Sequence, residues 1–572
     1  MSLPSNTSPT TTGLLQLKAG GELLPDLKIH SIEVTQVLNR IPTALVFILD
    51  GTLEQGLFGA SNDPRLAMGK EIEIGIETGD GVVPAFKGIV VKRNLRSDFR
   101  SGTLLCLELK HAAVKMAQVR RSAVYAAQTD ADLMQQLVGR HRIELVVDVP
   151  QWPQHEQLVQ QQVSDWDMLV LRAEANGTVV AAGLEGIRVL VPETNGNSVG
   201  LEFGADILEF EVETDARHRH DVATMQGWDM TNLALDSIEE SLENDGSSLE
   251  KEPQVTAISG DRKRDELHAW AQSLVQRSRL SALRGRLHVA GRIDVLPGGV
   301  VEISGGSTAM NGRHFVSGVH HSVSSQGWET HVEIGLDPSP YAAEFDVNDL
   351  PVGGLLARMP GLQIGTVERV DGDPQRQHRV LVRVRAVPDD QAGIWARVAS
   401  LDAGEGHGAF FRPQVGDEVV LGFLNEDPRD AIILGGLFNG GKHKPAFDTA
   451  KPYSQQGIVT KAGLRLQLDE TAEGILLETP SGDKLSLIGK QQGAQGILIQ
   501  DQFGNKIELG QQGIVIQSAG SLTLEAATNV DIKANADLTA EAQINLALKG
   551  AATAELSSNG ITDVKGSLVK IN

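Results

Sequence analysis

Aromatic residues are scarce in this chain of 572 residues: Phe, Trp and Tyr make up 4%, while there are 61 glycines. A chain so poor in rings has little material for an aromatic-lined catalytic pocket, and its many glycines suit short strands joined by tight turns. Basic residues are also too few, with 51 Lys and Arg against 74 Asp and Glu and a net charge of −23. This charge disfavours a general electrostatic hold on nucleic acid or on an anionic bilayer surface.

Cysteine occurs once, at Cys106, so the chain cannot form an intramolecular disulfide or supply a cysteine zinc cluster. We expect a buried structural thiol in a protein made in the reducing cytoplasm. Long apolar runs are missing as well, since no stretch approaches the roughly 18 apolar residues of a membrane span. Residues 1–12 are Ser-, Thr- and Pro-rich, and we expect a disordered N-terminus without a signal peptide.

The length exceeds what one hydrophobic core supports, so several domains are expected. Strand-sized apolar runs fill residues 13–115 and return over 201–340, which predicts a mainly β fold with two β-barrel-like subdomains. Residues 116–200 change to a helical period at two places, each with a start signal, at Thr129 and at Ser164. We therefore predict two β-barrel-like subdomains with an inserted α/β subdomain.

Four further segments follow from composition and spacing. Residues 236–252 are acidic and Ser-rich without apolar period, which predicts a flexible surface loop. A third helix is predicted from Asp265 to about Arg284. Residues 341–361 carry Pro and Gly and are predicted to be a linker. Five strand-sized runs within residues 362–445 suit a small closed barrel of the oligonucleotide/oligosaccharide-binding (OB) type.

The C-terminal segment, residues 455–572, carries a repeat. From Ile514 an apolar position recurs every eight residues, a second series lies two residues later, and seven octads keep register. An octad holds one short strand and one turn, so one chain cannot close a rung, whereas three intertwined copies would close a triangular prism. We predict a trimeric β-helix needle with these core positions: Ile514, Ile516, Leu522, Leu524, Val530, Ile532, Leu538, Leu546, Leu548, Leu556 and Val564.

Two sets of residues form recognisable motifs. A hub motif is carried by Trp166, Asp167, Arg172, Gly177 and Trp228. An OB motif is carried by Trp395, Arg397, Gly416, Asp417, Glu418, Asp427 and Pro428. With the octads, these motifs resemble the trimeric spikes of contractile injection machines. That family includes the VgrG proteins of type VI secretion, the hub and spike of contractile-tailed phages, and the spikes of extracellular contractile injection particles.

The resemblance implies a homotrimer that caps the inner tube of such a machine, adapts the six-fold tube to a three-fold needle, and pierces the target envelope when the sheath contracts. The implied partners are the inner tube protein, baseplate components, a PAAR-type tip protein at the C-terminal end and carried effectors. Nucleic acid is not among them, and a membrane is met only by mechanical penetration. The particle would be cytoplasmic, membrane-anchored or released, and the spike would be delivered into or through the target envelope.

We expect no enzyme activity, no catalytic residues, no cofactor and no metal site. His218 and His220 alternate on a predicted strand, but the neighbouring arginines oppose a cation. His320 and His321 are predicted to point to opposite faces of one strand. Two alternatives stay open: a trimeric tailspike enzyme that cuts envelope polysaccharide, and an adhesin.

Overall fold

The computed structural model describes residues 15–51, 58–79, 81–98, 102–149, 152–229, 231–241, 248–249, 251–258, 262–308, 310–344, 347, 350–385, 392–447, 454–489 and 496–571. The predicted disordered N-terminus, residues 1–12, lies outside these ranges. The protein is mainly β, as predicted, and divides into two compact units, residues 1–358 and 359–572. Among the described residues, no helix combines the length and the apolar character that crossing a bilayer requires.

The first unit begins with seven antiparallel strands: β1 (Leu15–Ala19), β2 (Glu22–Leu23), β3 (Lys28–Val37), β4 (Thr43–Leu49), β5 (Glu71–Thr78), β6 (Gly81–Asp98) and β7 (Gly102–Lys110). Successive side chains of a strand point to opposite faces, so Ile72, Ile74 and Ile76 of β5 all enter one apolar core. Cys106 of β7 is half-buried rather than buried, and burial raises the pKa of its thiol.

The inserted subdomain follows, with α1 (Val114–Ala117), β8 (Arg120–Thr129), α2 (Asp130–Gly139), β9 (Leu145–Asp148), β10 (Gln154–Ser164), α3 (Asp165–Ala175), β11 (Val179–Gly183) and β12 (Gly186–Leu190). Both predicted helix starts are confirmed. Thr129 forms a capping box with Asp132, and the Ser164 hydroxyl accepts a hydrogen bond from the backbone N–H of Asp167. These caps hold α2 and α3 against the core of the subdomain.

The remaining elements of the first unit are β13 (Ser198–Glu202), β14 (Ile207–Thr214), β15 (Val222–Asp229), β16 (Ala234–Ser241), β17 (Gln254–Ala257), α4 (Arg264–Ser281), β18 (Leu283–Ala290), β19 (Val300–Ser304), β20 (Gly312–Ser324) and β21 (Gly327–Ile334). Strand β20 pairs with β3, so both predicted barrel regions share one 13-stranded sheet. Each region keeps its own apolar core.

The acidic segment 236–252 was predicted to be a loop, and this is wrong for its first six residues, which belong to β16. Residues 242–247 and 250 lie outside the described ranges. Strand β16 pairs with β15, and its alternate residues Asp236 and Glu240 form ion pairs with Arg264 and His268 of α4. The acidic side chains therefore stabilise the contact between strand and helix instead of marking a loop.

The predicted linker, residues 341–361, contains two short 3-10 helices, Tyr341–Ala343 and Pro351–Gly354. Tyr341 is buried among the core residues of the inserted subdomain, and its hydroxyl donates to Asp167 at 2.8 Å. The start of this segment is thus packed on the subdomain.

The second unit starts with β22 (Gln363–Arg369), β23 (Val380–Val384), β24 (Ile394–Val398), β25 (Ala403–Gly404), β26 (His407–Gly408), β27 (Glu418–Phe423) and β28 (Ala431–Gly436). Five of them close a barrel in the order β22-β23-β24-β28-β27, which confirms the predicted barrel. Within the predicted barrel, residues 362–445, residues 386–391 lie outside the described ranges. Inward-facing Val382 and Leu421 are fully buried in the barrel core.

Seven strands of five residues each then form an antiparallel meander: β29 (Gln455–Val459), β30 (Arg465–Asp469), β31 (Gly474–Glu478), β32 (Lys484–Ile488), β33 (Gly496–Gln500), β34 (Lys506–Gly510) and β35 (Gly513–Gln517). Residues 518–571 are extended, with paired bends that begin at residue 519 and return every eighth residue to 567. The bend period equals the octad period predicted from the sequence.

Candidate self-association surface

One face of the meander carries two continuous rows of apolar side chains, which we call the apolar ladder. Strands β30 to β35 each contribute their second and fourth residues, and β29 contributes its fourth. The antiparallel register places the second residue of one strand opposite the fourth of the next. The first row consists of Ile458, Leu466, Leu477, Leu485, Ile499, Ile507 and Ile516. The second row consists of Leu468, Ile475, Leu487, Ile497, Leu509 and Ile514.

The apolar ladder is largely uncovered within this chain. Leu477, Ile499 and Ile516 expose 43%, 47% and 52% of their surface. The first row lines an open groove of about 1100 Å³, whose other lining residues include Arg465 and Lys506. A contiguous apolar patch with polar residues around it marks an interaction surface on a soluble protein.

Aspartates hold the turns between the ladder strands. Asp501 Oδ1 accepts hydrogen bonds from the backbone N–H groups of Phe503 and Asn505, both at 2.9 Å. The Asn505 side-chain amide donates to the other carboxylate oxygen, and it is the main cause of the lowered pKa of Asp501. Backbone N–H groups of Ala472 and Gln502 likewise lower the pKa values of Asp469 and Asp483.

The octads continue the ladder pattern beyond β35. All eleven core positions predicted from the sequence are exposed, between 52% for Ile516 and 83% for Leu548. The described chain brings none of these eleven side chains into a buried core. Their burial on the axis of a trimer stays a prediction.

The backbone of the octads also lacks strand pairing within the described part of this chain. Among the described residues 521–571, no backbone N–H donates to a backbone carbonyl. Extended backbone leaves one donor and one acceptor per residue to be satisfied, and an assembled β-structure satisfies them by strand pairing. Both the exposed apolar side chains and the unpaired backbone groups of this segment therefore indicate that further strands pair with it.

Sequence reasoning missed the ladder upstream of Ile514. Pairs of apolar residues two apart recur there too, but their spacing varies from seven to twelve residues, so a strict period of eight does not find them. The pairs are Leu466 and Leu468, Ile475 and Leu477, Leu485 and Leu487, Ile497 and Ile499, and Ile507 and Leu509. The apolar pair between turn residues was the available signal.

Three of the predicted hub-motif residues share helix α3. Trp166 is buried in the core of the inserted subdomain. Arg172 donates from Nε and Nη2 to the two carboxylate oxygens of buried Asp130, at 2.6 and 2.9 Å. Burial opposes ionisation of Asp130, but hydrogen bonds from His155, Arg172 and Asn176 outweigh it and hold its pKa well below the usual value.

Asp167 and Gly177 serve the two ends of α3. Asp167 accepts the Tyr341 hydroxyl, as described above, and completes the N-terminal cap with Ser164. Gly177 has φ +69°, and a Cβ at this residue would lie 3.2 Å from Gln276 Oε1. Both strain and space favour glycine here.

Trp228 is not brought together with the other hub-motif residues. It lies on β15 and exposes 39% of its surface. The four residues of the α3 region therefore have structural roles in the subdomain, whereas Trp228 lies on the separate sheet of β15, β16 and β17.

The OB-motif residues build turns of the barrel. Gly416 has φ +93°, and Asp417 accepts the backbone N–H of Gln414 at 2.7 Å in the turn before β27. Glu418 accepts the side-chain amide of Asn439 at 2.9 Å. These contacts fix where the strand begins.

The second OB-motif turn precedes β28. Asp427 accepts the backbone and side-chain N–H groups of Arg429 across Pro428, and these bonds lower the pKa of Asp427 to about 2. The guanidinium of Arg369 in β22 lies over the ring of Trp395, 5.1 Å from its centroid. Arg397 is exposed. The motif is thus a set of barrel-building residues.

Two family models match the chain. The Alg8 N-terminal domain covers residues 10–325. The type VI secretion system/phage-baseplate injector OB domain covers residues 363–438, which are the residues of the closed barrel.

Curated relatives match shorter stretches. The type VI secretion system spike protein VgrG3 of Vibrio cholerae is 31% identical over 118 residues, 20% of this chain and 11% of the relative. The actin cross-linking toxin VgrG1 of the same species is 29% identical over 118 residues, 20% of this chain and 10% of the relative. The matched part thus spans about a tenth of the length of these relatives.

Solved structures with a similar chain course include a 43 kDa tail protein of prophage MuSo2 from Shewanella oneidensis. It has a TM-score of 0.45 and 13% identity and covers 57% of this chain and 98% of its own. The E. coli c3393 protein, a component of the type VI secretion system, has a TM-score of 0.39 and 13% identity and covers 74% of this chain and 99% of its own.

Proposed function

Since the chain belongs to the family of the Alg8 N-terminal domain and is VgrG-like, with an injector OB domain, we propose that it is the homotrimeric structural spike of a contractile injection machine. The observation that carries this proposal is the apolar ladder together with its continuation through the octads. A paired meander with one uncovered apolar face, continued by an unpaired and regularly bent segment, is the form expected of one chain taken from an intertwined β-structure.

The distribution of charge in the octads supports burial of the ladder side. All nine charged residues from Glu525 to Lys565 lie an odd number of positions from the two apolar series. Because strand side chains alternate, every one of these charges points away from the apolar side. One side of the octads is thus suited to a dry axis and the other to water.

The partner that fits this surface is the same chain. A second protein would have to repeat strand and turn at the same irregular and then eight-residue spacings, which identical copies do by symmetry. Three copies close each layer as a triangle whose interior takes small aliphatic side chains. The only aromatic residue of the segment, Phe503, lies at a turn and is exposed.

In this proposal the first unit forms the hub. Its two barrel-like regions, each with a separate core, would present six similar elements per trimer to the six-fold inner tube. The OB barrel would form a collar, and the needle would pierce the target envelope on sheath contraction. The partners would be the inner tube protein, baseplate components, a PAAR-type tip protein and carried effectors.

The proposed role is mechanical rather than enzymatic. Most residues of the two sequence motifs are engaged in caps, turns and core contacts, whereas Trp228 and Arg397 are exposed. The spike would supply stiffness and shape, while the sheath supplies the work. It would be made in the cytoplasm and delivered as part of a contractile particle.

The mass of the full chain in solution tests the proposal directly. Sedimentation equilibrium across a hundredfold range of protein concentration should give three times the chain mass of 61.3 kDa. A monomer or a dimer at the highest concentration would refute the trimer and with it the proposed needle.

A further inference from the structure

A row of three histidines and one threonine crosses four neighbouring strands of the large sheet. The register pairs His288 of β18 with His331 of β21, His331 with His320 of β20, and His320 with Thr35 of β3. The rings of His288 and His331 are stacked, with centroids 4.4 Å apart and planes 22° apart. His321 is buried, and the neighbouring His320 bonds to Thr35 in the row, which agrees with the predicted alternation of the two residues.

A carboxylate completes a three-residue cluster at one end of this row. Glu329 lies two residues before His331 on β21 and therefore on the same face. Its Oε2 is 3.4 Å from His288 Nε2. One ligand atom each from His288, Glu329 and His331 can be chosen so that all three lie within 4.8 Å of one another.

The Nε2 atom of His288 is available to bind a ligand. This nitrogen is buried and, among the described residues, no donor or acceptor meets hydrogen-bond geometry with it. A buried nitrogen left without a partner costs free energy, whereas a metal ion at that position would satisfy it. Glu329 approaches the nitrogen but does not complete a hydrogen bond.

The charges around the cluster suit a divalent cation. The nearby cation, Arg286, is itself paired with Glu333 at 2.9 Å. Two imidazoles and one carboxylate face the cluster, a ligand set that suits an ion of the zinc class.

We propose that His288, Glu329 and His331 bind one divalent transition-metal ion of the zinc class and so clamp β18 to β21. Nitrogen and oxygen ligands of zinc lie about 2.0–2.2 Å from the ion, hence roughly 3.4 Å from one another. The ligand atoms, now within 4.8 Å of one another, would have to close by roughly 1.4 Å, and the two stacked rings would have to rotate so that a nitrogen of each faces the ion. The fourth position is left for water.

The site differs from the pair His218 and His220, which the sequence analysis weighed and rejected. There both histidines come from one segment with Arg217 and Arg219 beside them. Here the second histidine comes from a neighbouring strand more than 40 residues away, so sequence spacing alone does not reveal it.

Calorimetric titration of the EDTA-dialysed full chain with Zn²⁺ tests the proposal. We expect one ion per chain, and the visible spectrum of the Co²⁺-substituted protein should be that of a tetrahedral or five-coordinate ion. His331→Gln and Glu329→Gln should each weaken Zn²⁺ binding roughly tenfold or more. His220→Gln is the matched control and should leave the affinity unchanged.

Glu329 is exposed, so its variant is expected to fold even if a histidine variant does not. Wild-type affinity in folded Glu329→Gln and His331→Gln, or only octahedral Co²⁺, would overturn the site. Oligomeric state does not enter this measurement, so its outcome is independent of the trimer proposal.

Discussion

The OB barrel and the apolar ladder are built from the same local pattern and end in opposite states. Both consist of short strands with alternate aliphatic residues. In the barrel, Val382 and Leu421 are fully buried, because five strands of one chain close on themselves. In the ladder, Leu477 and Ile499 stay nearly half exposed, because seven strands in one row have no second layer. The alternation of side chains therefore determines which side of a strand is apolar. Whether one chain can bury that side depends on whether its strands close into a barrel.

The largest expected effect comes from placing charges on the apolar side of the octads. Leu538→Asp with Leu546→Asp would place six carboxylates on the axis of the proposed trimer, where an unpaired charge is very costly. We expect loss of the trimer in sedimentation experiments and unfolding of the needle at a lower temperature than in the unaltered chain.

The matched control for this variant carries the same charges on the other side of the strands. Thr539→Asp with Ala547→Asp changes the next residue in each case, which points outward in the assigned register. Equal dissociation of both double variants would contradict the register.

A charge buried in the barrel should destabilise each chain independently of the other copies. Val382→Asp buries a carboxylate in the closed barrel and should destabilise it by about 3 kcal/mol or more. Hydrogen exchange of β22–β28 should rise to the same extent at every protein concentration. A dependence on concentration would mean that the barrel, like the ladder, needs other copies.

The smallest expected effect concerns pH and the ladder turns. The pKa values of Asp469, Asp483 and Asp501 are lowered by hydrogen bonds to their carboxylates, so this stabilisation is complete above the unfolded-state pKa of about 3.9. It is lost as pH falls through the lower folded-state values. The protection factors of the meander amides, which correct for the intrinsic exchange rate at each pH, should therefore fall on acidification below about pH 4.

Asp501→Asn tests the assignment of this effect to the turns. The variant should weaken the turn at neutral pH and reduce the additional change on acidification. An unchanged acid response in the variant would show that other groups are responsible.

Local features were predictable because their causes are local. Thr129 and Ser164 cap helices through residues three positions away, and the barrel strands follow from alternation between turn residues. The octad period reappears in the bends because one strand and one turn take eight residues. For these elements the structural interactions extend over only a few residues, as the sequence pattern does.

Features that depend on distant partners were missed. The acidic strand β16 looks like a loop in the sequence, because Arg264 and His268, which contact its Asp236 and Glu240, lie on the distant helix α4. The ladder upstream of Ile514 was hidden by uneven turn lengths, which change the spacing without changing the strands.

The sequence by itself determined which residues can be buried: the alternation of the barrel strands, the helix caps and the apolar side of the octads are all encoded within a few residues of one another. Only the tertiary structure decided which of them are buried by this chain. Strand closure covers the barrel core, strand register brings His288 beside His331, and the missing second layer leaves the ladder exposed. The physical reason is that burial needs a partner surface, and sequence spacing does not specify where that surface comes from.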